Sequence, residues 1–405
     1  VTVAERDPDP EDYPGYFKSV TLANGSTITA TYDPDGFGYA ALEASWTEGD
    51  VSGRAWSYFN YINDSGDPNY GELSKVEICY QIGSQPPYCL KRAEYEYYDG
   101  SASECLLGKV RTARILERPR NEWTTRDFAF YTYYTNAAAA SCGLAKYTLG
   151  WRAYQRMRRD ARWQPEYEDP ASGKEPPDAL LADYADHHYE YDGAGRVSRH
   201  TVSGGTYSYG LTYAENPAAD PDDPNHWKTR AVETHPDGRE IVSYVNGYQL
   251  IVLRETREGG NARVEYRRYD DNSQPVLQAG PDAVAGYDDS QPDFGGPGAV
   301  LKADDGLVRL YEYFPPEGTS SSSSGELTGP EGYKKHDKIR RGWEGDDVTL
   351  RSYGYGEHTN GTATVHPLET QIVYRSEAEG GSDPVATRFE HTYHDGTVAV
   401  HTRTT

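Results

Sequence analysis

The stretch that most constrains the fold of this chain is residues 189–200, which read YEYDGAGRVSRH. Tyr189 and Tyr191 are two residues apart, so their side chains lie on the same face of an extended strand. The DGAG that follows favours a turn, because Asp hydrogen-bonds to nearby backbone and Gly adopts positive φ without a steric penalty. Val197 and its basic neighbours then alternate in facing, as in a returning strand. The segment therefore predicts a β-hairpin.

Degenerate copies of this hairpin motif recur along the chain. The clearest is residues 94–100, which read EYEYYDG, and Asn-Gly at residues 246–247 is the strongest short hairpin signal. We expect positive φ at both Gly195 and Gly247. The residues that we assign to the repeat motif, with a structural role, are Tyr95, Tyr97, Asp99, Tyr189, Tyr191, Asp192, Gly195, Arg196, Asn246, Gly247, Tyr393, Asp395 and Gly396.

Residues 189–197 resemble the YD repeat of RHS and teneurin-type proteins, whose consensus runs roughly Tyr-x-Tyr-Asp-x-x-Gly-Arg-hydrophobic. Every consensus position is matched in this segment. The resemblance implies stacked hairpins that spiral into a hollow shell or tube. Toxin members of the family also end in a self-cleaving protease motif with Asp-Pro-x-Gly, whose only match here is residues 33–36, near the start of the chain.

Alternation with period two, bounded by Gly, Asp and Asn turns, predicts an all-β fold built as a spiralling array of antiparallel β-hairpins with little helix. Such repeats bury their faces only by stacking on neighbours, so we expect one continuous array over residues 16–405. An extended acidic lead segment at residues 1–15 precedes this array. Long loops are expected near residues 163–180, 280–306 and 315–335.

Residues 147–158 leave two interpretations open. Apolar side chains at every second position, with arginines on the other face, favour a long strand, and a short basic helix is the alternative. The apolar members of the pattern are Tyr147, Leu149, Trp151, Ala153 and Met157.

The four cysteines predict two disulfides. Cys79 and Cys89 flank a segment that contains GSQPP, which suits a cross-strand disulfide in a hairpin and leaves Cys105 to pair with Cys142. Four cysteines allow three connectivities, and four free buried thiols are the alternative. Zinc is disfavoured because the chain has no CxxC and no nearby pair of histidines. The even count favours an oxidising setting, secreted or at the cell surface.

Composition excludes some classes of partner. The net charge of −24 argues against nucleic acid, since phosphate contact needs a basic surface. A mean hydropathy of −0.84 without a long apolar run argues against a membrane span. The chain has 36 Tyr and 8 Phe, which suits half-buried strand faces. Because it begins at Val1, we expect a processed product or an excised piece.

Acidic turns suggest calcium, which takes carboxylate and carbonyl oxygens. The candidate ligands are Asp33, Asp35, Asp64 and Asp67, with solvated turns as the alternative and a similar acidic turn at residues 220–223. No other cofactor is indicated. The two histidines at residues 187–188 are better interpreted as solvated residues at the start of a strand than as metal ligands.

The motifs of common enzymes are missing. No Gly-x-Ser-x-Gly elbow and no Gly-rich phosphate loop after a strand occurs, and acidic pairs suited to glycoside hydrolysis arise by chance among 64 acidic residues. We therefore expect no catalytic residues. The leading hypothesis is a non-enzymatic extracellular structural or cell-surface YD-repeat protein that self-associates head-to-tail into a fibre. The alternatives are a shell fragment of a larger RHS-type toxin or adhesin, and a carbohydrate-binding module for cell-surface glycans.

Overall fold

The computed structural model describes residues 2–6, 17–21, 27–31, 41–48, 51–119, 122–168, 172, 174–316, 327–360, 363–375, 384–391 and 403–404. Strands account for 48% and helices for 8%, which confirms the prediction of an all-β fold of antiparallel hairpins with little helix. The chain divides into two compact units, Val1–Tyr209 (unit 1) and Gly210–Thr405 (unit 2). That all the hairpins form one continuous spiral stays a prediction.

In unit 1, each strand pairs antiparallel with the strand that follows it in the sequence. The strands are β1 (Thr2–Arg6), β2 (Phe17–Thr21), β3 (Thr27–Thr31), β4 (Ala41–Glu48), β5 (Val51–Tyr61), β6 (Leu73–Ile82), β7 (Tyr88–Tyr97), β8 (Val110–Glu117), β9 (Thr124–Tyr133), β10 (Ala145–Gly150), β11 (His187–Tyr191) and β12 (Val197–Val202). The helical segments are a 3-10 turn at Glu104–Leu106, α1 (Trp151–Met157), a 3-10 turn at Pro165–Glu168 and α2 (Asp178–Tyr184).

Unit 2 is also an antiparallel meander, and β13 contains the boundary between the units. Its elements are β13 (Tyr207–Glu215), β14 (Thr229–Thr234), β15 (Glu240–Val245), β16 (Ile251–Glu258), β17 (Asn261–Tyr269), β18 (Pro275–Ala279), α3 (Pro297–Val300), β19 (Leu307–Tyr313), β20 (Lys334–Arg341), β21 (Val348–Tyr355), β22 (His358–Asn360), β23 (Ala363–Val365), β24 (Leu368–Tyr374), β25 (Pro384–Glu390) and β26 (Arg403–Thr404). The short pair β22–β23 forms a sheet of its own.

The strand interpretation of residues 147–158 is wrong beyond Gly150, where β10 ends and α1 begins. The buried residues of α1 are Ala153, Tyr154 and Met157, a spacing that places them on one helical face and not on one face of a strand. That face packs on Phe128 and Phe130 of β9 to form the core of unit 1. Burial of Tyr154, which the alternating pattern would place on the polar face, decides for the helix.

The predicted loop at residues 280–306 is packed, because Phe294 in its middle is 1% exposed. Phe294 contacts Tyr244 and Tyr266 edge-on, and a bridge pairs Val284 with Leu301. This segment, which contains α3, therefore completes the core of unit 2. The other two predicted loops contain regular elements at their ends, since α2 begins within residues 163–180 and β20 within residues 315–335.

The predicted lead segment at residues 1–15 contains a strand. Thr2–Arg6 pairs antiparallel with Phe17–Thr21, and residues 7–16 lie outside the described part of the chain. At the level of the backbone, the beginning of the chain is therefore already part of the hairpin meander.

Both predicted disulfides are present. Cys79 and Cys89 join β6 to β7 with a Cα–Cα distance of 3.8 Å. Cys105 and Cys142 lie 5.4 Å apart between Cα atoms and join the 3-10 turn at Glu104–Leu106 to the connection between β9 and β10. None of the helices that the structure describes has the length and apolar character that crossing a membrane requires.

Candidate functional site

The turn of the best motif copy is held by a single carboxylate. One oxygen of Asp192, Oδ1, accepts hydrogen bonds from the backbone N–H of Ala194 (2.9 Å) and of Arg196 (3.0 Å). Its other oxygen, Oδ2, accepts from Arg196 Nε at 2.9 Å. These bonds, led by the one from the Arg196 backbone, lower the pKa of Asp192. The side chain of Asp192 therefore fixes the conformation of its own turn through these hydrogen bonds.

The main chain of this turn closes through two further bonds. The backbone N–H of Asp192 donates to the carbonyl of Arg196, and that of Gly195 donates to the carbonyl of Asp192. Gly195 has φ +79°, which an L side chain adopts only with strain. The sequence prediction of a positive φ at Gly195 is confirmed.

Two turns in unit 2 have the same side-chain hydrogen bonds but lack a glycine at the position that corresponds to Gly195. Asn246 Oδ1 accepts from the backbone N–H of residues 248 and 250, and Asp270 Oδ1 accepts from that of residues 272 and 274. The residue with positive φ is Gln249 (φ 64°) in the first and Ser273 (φ 62°) in the second. The side chains of Asn246 and Asp270 therefore still accept two backbone hydrogen bonds each, although another residue replaces the consensus glycine.

The prediction of positive φ at Gly247 is wrong, because the left-handed residue of that turn is Gln249. Gly247 is needed for another reason. A Cβ atom built on it would lie 2.3 Å from the carbonyl oxygen of Pro221, which is far inside van der Waals contact. Gly247 therefore allows the close approach of two backbone segments.

We expect a matched pair of substitutions to separate the roles of the two glycines in the Asp192 turn. Gly195→Ala should lower the free energy of unfolding by more than about 1 kcal/mol, because it forces a side chain into the left-handed region. Its Cβ would also lie 3.0 Å from the carbonyl oxygen of Ala140. Gly193→Ala meets nothing within 4 Å and should change stability by less than about 0.5 kcal/mol. Equal urea midpoints for the two variants would contradict this.

A tyrosine occupies the last position of the strand before several turns, where the strand register shifts by a bulge. Tyr97 lies opposite Val110, and Tyr191 lies opposite Val197. The same shift occurs before the turns at Tyr269 and Tyr313. The bulge re-aims the last side chain of the strand relative to the regular alternation.

These tyrosines bind the main chain of the neighbouring strand. The hydroxyl of the last residue of a strand donates to the carbonyl of the first residue of the strand before it, and we call this set the tyrosine ladder. Its bonds are Tyr97 to Leu73 (2.8 Å), Tyr133 to Val110 (2.8 Å), Tyr191 to Ala145 (2.8 Å), Tyr269 to Ile251 (2.8 Å) and Tyr313 to Pro275 (3.0 Å). The ladder thus fastens one turn to the next at the same end of neighbouring hairpins.

Burial keeps the ladder hydroxyls protonated. It raises the pKa of Tyr97, Tyr133 and Tyr313 to about 12, and it raises the pKa of Tyr191 and Tyr269 as well. A tyrosinate would lose the proton that it donates and would face a carbonyl oxygen. The ladder is therefore built for the neutral form of tyrosine.

We expect this to make the protein sensitive to strong alkali. A group whose pKa is higher in the folded state contributes stability below its unfolded pKa, and loses it as the pH rises through the folded pKa. With an ordinary tyrosine pKa of about 10, the free energy of unfolding should fall between about pH 10 and pH 12. Urea unfolding after short pH jumps, with tyrosinate followed by ultraviolet absorbance, tests this. Stability that does not fall across this range would contradict it.

The remaining motif residues fall into two groups. Asp99 Oδ1 accepts from the Ser101 hydroxyl (2.6 Å) and from the Ser101 backbone N–H (2.9 Å), and these bonds lower the pKa of Asp99. Tyr95 lies in β7, and the ring of Tyr189 stacks on His200 with centroids 4.6 Å apart. The structure does not describe the last motif copy, which comprises Tyr393, Asp395 and Gly396.

The calcium prediction gains no support from the structure. Asp33 and Asp35 lie outside the described residues, while Asp64 and Asp67 each accept a bond from the backbone of their own turn. In the part of the chain that the structure describes, no group of three or more His, Cys, Asp or Glu side chains could hold a metal ion. His188 stacks on Tyr147, and the rings of His187 and His200 contact each other at 2.9 Å between nitrogens.

Comparisons with known proteins give no family. No family model matches the chain, and no curated protein matches it. Among solved structures, it is similar to the TcdB2-TccC3 crystal structure, with 12% identity over 92% of this chain and 20% of that chain, at a TM-score of 0.27. For TcdB2-TccC3-Cdc42, the figures are 8% identity, 96% of this chain, 19% of that chain and a TM-score of 0.30.

A third similar structure is a Photorhabdus luminescens Tc holotoxin pore that carries a TccC3 mutation. It is 13% identical, with 95% of this chain and 17% of that chain covered at a TM-score of 0.27. This chain therefore spans about a fifth or less of the length of the structures that it matches.

Proposed function

We propose that this chain is a non-enzymatic structural protein of YD-repeat type, in which successive hairpins form a wall. The tyrosine ladder is the observation that carries the proposal. It uses the characteristic residue of the motif, at corresponding positions of five hairpins, to bond one main chain to the next. A tyrosine hydroxyl that donates to a backbone carbonyl has a structural role and is not available for substrate chemistry.

The local geometry of the motif supports the YD-repeat assignment. In the Asp192 turn, the motif Asp, Gly and Arg all take part, and the motif Tyr191 belongs to the ladder. Tyr191, Asp192, Gly195 and Arg196 of the consensus thus each have a physical role in closing the turn or in joining it to the neighbouring one. These roles support our proposal that residues 189–197 form a YD-type repeat.

We place this wall in an oxidising, extracellular setting. The two disulfides support that placement, because such bonds persist in secreted and cell-surface proteins and are rare in reducing compartments. The first disulfide joins the two strands of one hairpin, and the second joins the 3-10 turn at Glu104–Leu106 to the connection between β9 and β10.

The proposal has two forms that differ in assembly. A wall that closes around a space would be part of a shell from a larger RHS-type protein, whereas a wall that pairs head-to-tail would form a fibre. Light scattering and electron microscopy at high protein concentration and moderate salt distinguish the forms.

The experiment that tests the structural role combines stability with activity. The native chain should resist limited proteolysis, and a variant in which the five ladder tyrosines are replaced by phenylalanine should be cleaved within the hairpins. Neither protein should release sugar from a panel of polysaccharides. Sugar release by the native chain, lost on substitution of one pair of acidic residues, would replace the structural proposal with a glycosidase.

A further inference from the structure

A groove in unit 2 is lined by side chains from four neighbouring strands, β19, β20, β21 and β24. Its volume is about 600 Å³, within the range of about 300–1,000 Å³ that is typical of small-molecule sites. Leu307 and Arg309 line the groove, whereas Val308 between them is 0% exposed and belongs to the core of unit 2. Because successive strand residues face opposite sides, the groove lies on the face of the sheet that points away from this core.

Each of the four strands contributes one branched aliphatic side chain to the groove. These side chains are Leu307 of β19, Ile339 of β20, Leu350 of β21 and Val373 of β24. Leu307, Leu350 and Val373 are 41%, 37% and 37% exposed. Together they form an aliphatic patch across the sheet, and an apolar group that covers it would be stabilised by leaving water.

The same lining has more cations than anions. Its charged side chains are Arg309, Lys334, Lys338, Arg351 and Asp337. Lys334 pairs with Asp337 at 3.1 Å, and Lys338 pairs with Glu312, which lies outside the lining. These four cations therefore meet two carboxylates, and two positive charges are left over whichever way the pairs are drawn.

The surplus charges belong to Arg309 and Arg351, neither of which forms an ion pair with a carboxylate in the described part of the chain. Arg351 lies opposite Asp337 in the strand register and interacts with the hydroxyl of Tyr353. That hydroxyl donates to Asp337 at 2.6 Å, and Asp337 also pairs with Lys334. The Asp337 carboxylate therefore already has two partners besides Arg351.

The positions of the two arginines allow them to act together. Arg309 lies opposite Ile339 on one side of β20, and Arg351 lies opposite Asp337 on the other side. Two strand spacings separate them, which is about 10 Å across the sheet. Each side chain has three methylenes before its guanidinium, so both guanidinium groups can approach one ligand above β20.

The lining favours an aliphatic anion over a sugar. Sugar sites commonly offer an open aromatic face, but the Nζ atom of Lys334 lies 4.6 Å from the centroid of the Tyr311 ring. Apart from the hydroxyls of Tyr311 and Tyr374, the described residues that line the groove have no neutral polar side chain. A chain whose net charge is −24 repels anions over most of its surface, so a local surplus of cations selects where an anion binds.

We propose that this groove binds a free medium-chain fatty acid. The carboxylate accepts hydrogen bonds from Arg309 and Arg351, and the acyl chain covers Leu307, Leu350 and Val373. Hydrogen bonds between a guanidinium and a carboxylate are about twice as strong as neutral ones, so the acid is selected over its neutral analogues. This binding uses a face of unit 2 that the tyrosine ladder does not use, and it therefore adds a ligand to the structural role.

Isothermal titration calorimetry on the full chain measures the binding of octanoate, with butanoate and octan-1-ol as comparisons. Butanoate lacks four methylenes, and each methylene that is fully buried changes affinity by about four-fold. Because the groove is open on one side, we expect octanoate to bind at least about ten-fold more tightly than butanoate. We expect the same margin over octan-1-ol, which has the chain without the charge. Equal affinity for octanoate and either comparison, or no heat from octanoate up to millimolar concentrations, would overturn the proposal.

A double variant locates the site. Replacing Arg309 and Arg351 together with glutamine should weaken octanoate binding at least about ten-fold, whereas Arg254→Gln should leave it unchanged. Arg254 is the matched control, because it is an exposed arginine of unit 2, lies on β16 outside the groove and forms no ion pair among the described residues. Octanoate binding that is the same in the double variant and in the native chain would contradict the assignment.

Two further measurements keep the proposal testable if the double variant fails to fold. In crystals of the native chain soaked in 8-bromooctanoate, the anomalous signal of bromine must lie in the groove, and bromine elsewhere would overturn the proposal. Flotation with vesicles that contain phosphatidylglycerol separates a free acid from a membrane surface. Binding to the vesicles without binding to octanoate would assign the groove to a membrane and would also overturn the proposal.

Discussion

Replacing all five ladder tyrosines with phenylalanine lowers the total free energy of unfolding by about 5 kcal/mol, at about 1 kcal/mol for each lost hydrogen bond. The substitution keeps the ring and its packing and removes only the hydroxyl, which leaves a carbonyl without its donor. The sites lie on different hairpins, so their effects should add. The substituted residues are Tyr97, Tyr133, Tyr191, Tyr269 and Tyr313.

Urea unfolding followed by circular dichroism measures this loss. The two compact units allow more than one transition, so the change is summed over all transitions. Tyr207→Phe is the matched control, because this tyrosine is 51% exposed and lies outside the ladder. We expect the control to remain within about 0.5 kcal/mol of the native chain. A five-fold variant as stable as the control would show that the ladder does not hold the hairpins.

Removing the disulfide between Cys105 and Cys142 by substitution with serine lowers the stability of unit 1 by about 4 kcal/mol. The bond closes a loop of 37 residues, and a chain-entropy relation gives that value for the unfolded state that it constrains. The disulfide also positions the connection between β9 and β10. This connection includes Ala140, whose carbonyl oxygen lies 3.0 Å from the position of a Cβ on Gly195. Loss of the disulfide should therefore loosen the next turn as well.

The matched comparison is the pair Cys79→Ser and Cys89→Ser. Its cysteines are 10 residues apart, and the same relation predicts a smaller loss of about 3 kcal/mol. Both double variants are compared with the native chain in urea, with the redox state checked by peptide mapping. A larger loss from the shorter loop would contradict an origin in the entropy of the unfolded chain.

The sequence sufficed for the hairpins whose turn chemistry is local. In residues 189–197, the Asp, the Gly with positive φ and the Arg all act within the same few residues, so the pattern alone predicts their geometry. The pairing of Cys79 with Cys89 was likewise predictable, because two short strands around one turn place these cysteines opposite each other.

The partners of the ladder hydroxyls were not predictable in the same way. Tyr191 donates to Ala145, 46 residues earlier, and that contact depends on strand register and on the length of the segment between the two strands. The usable signal was the position of the tyrosines, at the last strand residue before a turn. A hydroxyl on a half-buried ring at that position needs a partner, and the end of the neighbouring strand supplies one.

Tertiary packing overrode local pattern in two further places. Gln249 takes positive φ without being glycine, because Asn246 satisfies the backbone of the turn at both residues 248 and 250. In residues 151–157, alternation favoured a strand, yet the rings of Phe128 and Phe130 cover a helical face that includes Tyr154. Neither outcome is visible without the neighbouring strands.

Hydrogen exchange on the single variant Tyr133→Phe tests the central claim most directly. The Tyr133 hydroxyl donates to the Val110 carbonyl at 2.8 Å and so ties the end of β9 to the start of β8. Mass spectrometry of the native chain, of this variant and of Tyr207→Phe compares the backbone amides of these two strand ends. We predict faster exchange there in Tyr133→Phe alone. Exchange that is the same in all three proteins would contradict the claim that the tyrosine ladder joins successive hairpins.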